Sequence, residues 1–284
     1  MKPTISIITS IYKGELFIER FFTSVSNQTI FKKCELIIIL NEGSIKEISL
    51  IENFQRIFPD QVTLFNISPK EPLSASWNRG VKISNGEFIA LWNVDDLRVK
   101  DSLENQVKTL INDPRACLTY GDFIEIKSGI DNKGIQFITP EFNPIIFSKR
   151  FASGGAFLVF RSSIFNQCGY FDEQIEIASD FDFILRLVKL GHIFNKTQGV
   201  LGYFWNNNTG LSTKVNFRNI EIEQNIIHRR YGNFDKLIWE HLKELKKINP
   251  ANFLFFKQYI PITQYGLIFE NINYGSFNQK LFFL

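Results

Sequence analysis

The 284-residue sequence has little of what staples small or metal-built folds. Its three cysteines, Cys34, Cys117 and Cys168, are far apart and form no C-x-x-C, and its three histidines, His192, His228 and His241, form no ligand cluster. No disulfide scaffold or structural zinc site is expected, and a reducing compartment is. No run of about 18 uncharged apolar residues exists, so no membrane-spanning helix is expected. The most apolar late stretch, 253–269, is broken by Lys257 and Pro261. The apolar start, 1–11, lacks a positive stretch followed by a small-residue cleavage site and reads as a first strand. A net charge of +3, from 32 basic against 29 acidic residues, is too small for a nucleic-acid binder. G-x-G-x-x-G and G-x-x-x-x-G-K-[ST] are missing, so the usual dinucleotide and P-loop sites are unsupported. No Ser–His or Cys–His catalytic pair stands out. Methionine occurs once against 30 phenylalanines, a bias without mechanistic content. What remains is a folded chain, 44% hydrophobic and 21% charged, expected to be cytoplasmic or peripheral to a membrane. Its length suits one large domain or two modest ones.

The first third alternates strand and helix. Residues 4–10 (TISIITS) are nearly continuous in apolar and β-branched residues, as a strand buried on both faces should be. Leu16, Ile18, Phe21, Phe22 and Val25 then fit an amphipathic helix. Residues 35–40 (ELIIIL) form a second strand, 48–58 a helix ended by Pro59, and 62–67 a third strand. A helix over 75–84 leads through Asn85-Gly86 into a fourth strand over 87–93. Strands separated by such helices imply a parallel sheet with right-handed crossovers. Further on, 102–111 is helical, 116–126 a strand pair or a strand and turn, 127–144 a loop, 156–160 a strand and 181–190 a helix. Two helices, over 217–231 and 234–248, follow.

Four clusters have the composition for chemistry. Asn93-Val94-Asp95-Asp96 ends the fourth strand, where alternation sends Asn93 and Asp95 to one side and Val94 and Asp96 to the other. Open α/β sheets bind ligands outside the carboxyl ends of their strands. Carboxylates there suit a hard divalent cation that shares substrate phosphates; two acids after a strand equally form a solvated turn or a helix cap. Asn41-Glu42-Gly43-Ser44 ends the second strand and offers Glu42 to a base or ribose, or is only a turn. Ser179-Asp180-Phe181-Asp182 opens a helix, where Asp180 can serve as a general base toward an attacking hydroxyl, or simply as a cap. Gly154-Gly155-Ala156 lets backbone approach a ligand, or relieves crowding.

In this order the pieces resemble glycosyltransferase family 2, over roughly residues 4–213. Ile5 to Lys13 (ISIITSIYK) resembles the family's first strand and its Pro-Thr-Tyr-Asn end, and Phe22 to Thr29 (FTSVSNQT) its Ser-apolar-x-x-Gln-Thr helix end. Ser76-Trp77-Asn78-Arg79-Gly80 with Gly86 to Asp96 (GEFIALWNVDD) resembles the Arg-Asn-x-Gly helix and the Asp-x-Asp strand. Gly169-Tyr170-Phe171-Asp172-Glu173, then Ser179 to Asp182 and Leu185-Arg186-Leu187, resembles the Gly-x-Phe-Asp-Glu and Glu-Asp motifs. The resemblance implies an α/β, Rossmann-like GT-A fold with a mostly parallel central sheet flanked by helices. On this reading the chain has a domain over 1–215, with a nucleotide-binding half (1–97) and an acceptor half (98–215), and, outside the resemblance, a helical C-terminal extension over 216–284. It implies inverting transfer of a sugar from a nucleotide-diphosphate donor, with a leaning to UDP, to a hydroxyl of a glycan or lipid-linked acceptor in surface polysaccharide assembly.

By position, Asp95 and Asp96 would hold Mg²⁺ or Mn²⁺, and Ser10, Tyr12, Glu42, Asn78, Asn93 and Asp95 would contact the nucleotide sugar. Asp180 would be the base, with Gly155, Asp182 and Trp205 on the acceptor side. The sequence departs from the pattern at Asn93, which replaces the first Asp of Asp-x-Asp, at Asn41-Glu42 for Asp-Asp, at Ser10-Ile11 for Pro-Thr, at Lys13 for Asn, at Trp77 for Arg and at Ser179 for Glu. The Asn93 departure motivates a rival reading, a non-catalytic sugar-nucleotide or glycan-binding module. A nucleotidyltransferase ranks last, because no Gly-rich, basic loop follows the first strand. The 234–248 helix, with Lys236, Lys243, Lys246 and Lys247, either docks on an anionic membrane or packs its apolar side on its own domain.

Overall fold

The computed structural model describes residues 2–127, 134–206, 210 and 217–231; the helix expected over 234–248 lies outside them. In chain order the elements are β1 (Ile5–Ile11), α1 (Ile18–Ser26), β2 (Cys34–Asn41), α2 (Ile45–Ile57), β3 (Val62–Ile67), α3 (Leu73–Ile83), β4 (Phe88–Leu91), β5 (Leu97–Arg98) and α4 (Ser102–Asn112). There follow β6 (Ala116–Lys127), β7 (Ile135–Phe137), α5 (Pro144–Lys149), β8 (Val159–Arg161), α6 (Ser163–Cys168), α7 (Ser179–Lys189), β9 (Ile193–Asn206) and α8 (Phe217–Arg230). None of the described helices is long and apolar enough to cross a membrane.

The strands join one sheet in the order β3-β2-β1-β4-β8-β6-β9-β5, with β7 on the edge of β6. β1 to β4 run parallel, β8 runs against both neighbours, and β6 and β9 run with the first four. The central sheet is therefore mostly parallel, as expected. Its strands are buried on both faces. In β2, Leu36, Ile38 and Leu40 enter one core with Phe21, Phe54 and Trp92, while Ile37 and Ile39 enter the other with Phe160, Phe171 and Phe183. This is why the strand reads as an unbroken apolar run rather than an alternating one.

Local chemistry sets the helix starts. Ser44 caps α2 by accepting from the Glu47 amide at 3.1 Å, and the Glu47 carboxylate returns a bond to the Ser44 amide at 2.9 Å. This reciprocal box satisfies two otherwise orphaned donors. The other oxygen of the buried Glu47 accepts from the Gly14 amide at 2.7 Å, which ties α2 to the turn after β1. Gly80 of α3 lies against Ile8 of β1; a Cβ there would clash with the Ile8 side chain, so glycine lets helix and strand approach.

The later elements differ from expectation. Residues 116–126 lie in one 12-residue strand, not a pair, and the expected loop contains β7. Of the expected 156–160 strand only Val159 and Phe160 pair, and the observed strand runs on to Arg161. β9, unanticipated, spans 14 residues. Its pairing with β6 slips at Gly121, Asp122 and Ile124, and the polar stretch Asn195-Lys196-Thr197-Gln198-Gly199 hides its periodicity. α8 packs on α7, with Ile227 and Tyr231 buried among Ile175, Phe181 and Leu185.

Candidate active site

β1, β2 and β4 end at one edge of the sheet, and each end carries predicted site residues. Lys13 and Glu42, just past β1 and β2, both hold left-handed backbone, at φ 53° and 50°. Non-glycine residues adopt this at a cost and mainly where surrounding structure imposes it. Glu42 is exposed and accepts from the Lys70 amide at 3.3 Å. The Lys70 ammonium lies 4.2 Å from the Tyr12 ring centroid. Tyr12, Glu42 and Lys70 therefore form one surface, on which Tyr12 is 39% exposed. The Ser10 hydroxyl accepts from Asn41 Nδ2 at 3.3 Å, and the buried Asn41 also holds Ser76 and the Glu71 amide. Lys70 and Asn41 in this role had no signal in sequence spacing.

Asp95 and Asp96 follow β4. Asp95 is partly accessible, and burial raises its carboxyl above the usual range, against the pull of Arg20. Asp96 is fully buried. Its Oδ1 accepts from the Trp205 amide at 3.2 Å and its Oδ2 from Asn93 Nδ2 at 3.3 Å. Burial, then the charge of Asp95, pushes its carboxyl well up. Asp96, expected to share a metal with Asp95, has both its oxygens on internal donors, which leaves Asp95 as the accessible carboxylate of the pair. The same bond gives the Asn93 departure a reason. An amide at 93 donates to Asp96, where a second carboxylate would repel a buried acid.

Among the described residues no cluster of three or more His, Cys, Asp or Glu side chains could hold a metal ion. One accessible carboxylate does fit a Mg²⁺-like ion, which takes one or two protein carboxylates and fills its shell with water and phosphate oxygens. Asp95, with Asp96 behind it, is such a carboxylate and, among the described residues, makes no ion pair with a basic side chain. The nearest cation, Arg20, donates instead to the Asp95 backbone oxygen at 2.9 Å. Its guanidinium sits between the Phe17 and Trp205 rings, 4.6 and 4.9 Å from their centroids. Trp205, expected on the acceptor side, therefore braces the Asp95 turn.

Asn78, expected to touch the nucleotide sugar, is fully buried and corrected to a clamp. It accepts from the Phe171 amide at 2.9 Å and donates to the Phe171 carbonyl and Glu173 at 2.9 and 2.8 Å. Trp77 beside it packs on Phe171, with ring centroids 5.2 Å apart. The clamp fixes the segment that leads into α7.

Asp180 sits in the first turn of α7. Its Oδ1 accepts from the Phe181 amide at 2.7 Å. Burial, with the charge of Glu223 adding to it, raises its carboxyl to about 7. A Cβ on Gly155 would strike Asp180 Oδ2, so the two are in contact. Because β8 runs against β4 with Val159 opposite Ala90, the chain before β8 lies at the carboxyl end of β4. Gly155, and Asp180 with it, therefore stand at the edge that carries Tyr12, Glu42 and Asp95.

Asp182 does not join them. Two positions on from Asp180, it lies on another face of α7 and is fully buried. It binds Arg186 at 2.7 Å, Arg230 at 2.6 Å and the Tyr231 hydroxyl at 3.2 Å, while Arg230 also holds Asp172 at 2.8 Å. Its expected acceptor-side place is corrected to a buried ion network that joins α7 to α8.

The model of glycosyl transferase family 2 matches residues 6–169, more than half of the chain. The chain belongs to this family. An uncharacterised glycosyltransferase of Methanocaldococcus jannaschii is 25% identical over 68% of this chain and 68% of its own. One of Rickettsia felis is also 25% identical, over 67% of this chain but only 32% of its own length. The minor teichoic acid biosynthesis protein GgaB of Bacillus subtilis is 27% identical over 35% of this chain and 11% of its own. Among solved structures, S. aureus TarS 1–349 in complex with UDP superposes with a TM-score of 0.63 at 14% identity, over 89% of this chain and 73% of that one. The mannosyltransferase PcManGT of Pyrobaculum calidifontis, in complex with GDP-Man and Mn²⁺, gives 0.61 at 16%, over 90% and 71%. The fold is that of the GT-A glycosyltransferases.

Proposed function

We propose that this family 2 chain is an inverting glycosyltransferase that moves a sugar from a nucleotide-diphosphate donor, a UDP-sugar by preference, to a hydroxyl of a glycan or lipid-linked acceptor. The observation that carries the reading is the β4–β8 pairing, which brings Asp180 to the sheet edge of Asp95. TarS, solved with UDP, and PcManGT, solved with GDP-Man and Mn²⁺, share the fold and support a nucleotide-sugar donor and a divalent metal. GgaB supports a role in surface polysaccharide assembly.

In this mechanism Tyr12, Glu42 and Ser10 receive the base and ribose, and Asp95 would hold the metal, Mg²⁺ or Mn²⁺. When bound, such a cation would supply charge that offsets the negative charge developing on the leaving nucleoside diphosphate. Asp180 takes the proton of the acceptor hydroxyl as its oxygen bonds to the anomeric carbon. The bond from that carbon to the diphosphate breaks on the opposite side, which inverts the centre. A base near 7 suits this task, since it is ionised at working pH yet still binds a proton usefully.

The test is thermal stability against a panel of nucleoside diphosphates, with and without Mn²⁺. A ligand of the native state at about 100 times its Kd adds roughly 2.7 kcal/mol. The expected result is a shift with one nucleoside diphosphate that needs Mn²⁺ and is lost in Asp95→Ala. No shift with any of them overturns the donor site. A shift without turnover on any acceptor favours the binding-module reading, which the turned-in Asn93 amide motivates.

A further inference from the structure

We propose that Glu223, on α8, is a positioning residue for the base: its carboxylate ties down the turn that precedes α7 and so fixes where Asp180 presents its oxygen. The inference rests on the reading of Asp180 given above. Glu223 Oε1 accepts from the Glu176 amide at 3.0 Å, and Oε2 from the Ile177 and Ala178 amides at 2.9 and 2.8 Å. Three consecutive backbone donors thus converge on one side chain more than 40 residues away in sequence. The α7 N-cap, Ala178, has no side chain that could cap the helix. Glu223 instead binds the amide of the cap residue and the two before it; the Ala178 amide is the donor that an N3 glutamate would hold in a capping box. Asp180 lies two residues beyond this tie. The rest of its surroundings are closely packed: Phe181 lies on Phe151 and on His228 of α8, with ring centroids 5.5 and 5.2 Å apart, and Gly155 backs its Oδ2.

The tie is also electrostatic. Among the charged groups around Asp180, Glu223 is the one whose charge raises its carboxyl, and Glu176 stands behind Glu223. Asp182, Arg186, Arg230 and Tyr231 compensate one another deeper between α7 and α8, and His228 meets the Phe181 ring. The loop from Phe151 to Phe160 brings no titratable side chain. Removing the negative charge at 223 therefore moves the base to lower pH, which loss of packing alone does not do.

The experiment compares Glu223→Gln, Glu223→Ala and Asp180→Asn in the full chain. Hydrolysis of UDP-GlcNAc with Mn²⁺, the transfer to water, is followed across pH, and the Asp180 carboxyl is titrated by ¹³C NMR. Expected for Glu223→Ala is a kcat lower by about tenfold or more, with the donor KM unchanged. In Glu223→Gln the acid limb of kcat/KM and the Asp180 titration both move to lower pH. Folded variants with the native kcat, acid limb and titration overturn the proposal. So does failure of both variants to fold, which would make the tie a stability element. Full activity in Asp180→Asn overturns instead the base assignment, and the two failures are distinct.

Discussion

At the residue scale, Asp180 and Gly155 make the sharpest predictions. Asp180 titrates near 7 in the folded chain but near 4 in an unfolded one. Below pH 4 it is protonated in both states and neutral to folding. Between the two values the folded state holds the extra proton, so stability falls as pH rises, and the cost is complete above 7. Asp180→Asn keeps the acceptor for the Phe181 amide and removes the charge. It is expected to abolish transfer, by two to four orders of magnitude, and to raise Tm at pH 8 but not at pH 4. Differential scanning calorimetry at both values checks this; an equal Tm change at both would sink the electrostatic account. The native enzyme's kcat/KM should rise with pH through about 7, since the base must be ionised. Gly155→Ala places a methyl group on Asp180 Oδ2 and should lower kcat while leaving nucleoside-diphosphate affinity intact, as titration calorimetry would report. Both residues were legible in the sequence, because an acid at a helix start and paired glycines before a strand are local patterns. Asp96, Asn78 and Asp182 were not, because the direction a polar side chain takes at such a spot depends on partners distant in sequence, Trp205, Phe171 and Arg230.

At the element scale, the α2 capping box shows how a helix start can serve the site. Ser44 and Glu47 start the helix, and Glu47 also holds the Gly14 amide behind Tyr12 and Lys13. Ser44→Ala should cost about 1 kcal/mol, a fall in Tm of roughly 2–4 °C. Glu47→Ala should lower Tm further and also weaken nucleotide binding, because it frees the turn under Tyr12. Unchanged nucleotide affinity in Glu47→Ala would separate the box from the site. The strands β1 to β4 were legible because a short apolar run bounded by turn residues is how a strand buried on both faces is written. β9 was not, because its bulged pairing with β6 and the Gly199 interruption leave no clean period of two.

At the scale of the whole molecule, α7, which carries Asp180, depends on residues far along the chain. Arg230 bridges Asp172 and Asp182, each fully buried. Removing one partner of a buried pair leaves a charge uncompensated at about 3–5 kcal/mol, whereas well-packed apolar replacements of the full set can be neutral. Arg230→Met should therefore destabilise strongly, and a chain cut at residue 215 should be recovered unfolded or insoluble. A soluble truncated chain with native Tm would show that α8 is dispensable. Nothing in the periodicity of α8 announces this duty: its Glu223 and Arg230 look like ordinary solvated charges until α7 is set beside them.

That dependence gives the molecule an order of assembly. A ribosome releases the donor-side strands first, and their contacts are mostly with one another. The turn before α7 gains its tie only once Glu223, more than 40 residues later, has been made. A chain that stops before Glu223 and Arg230 lacks both the carboxylate that ties this turn and the guanidinium that bridges Asp172 and Asp182.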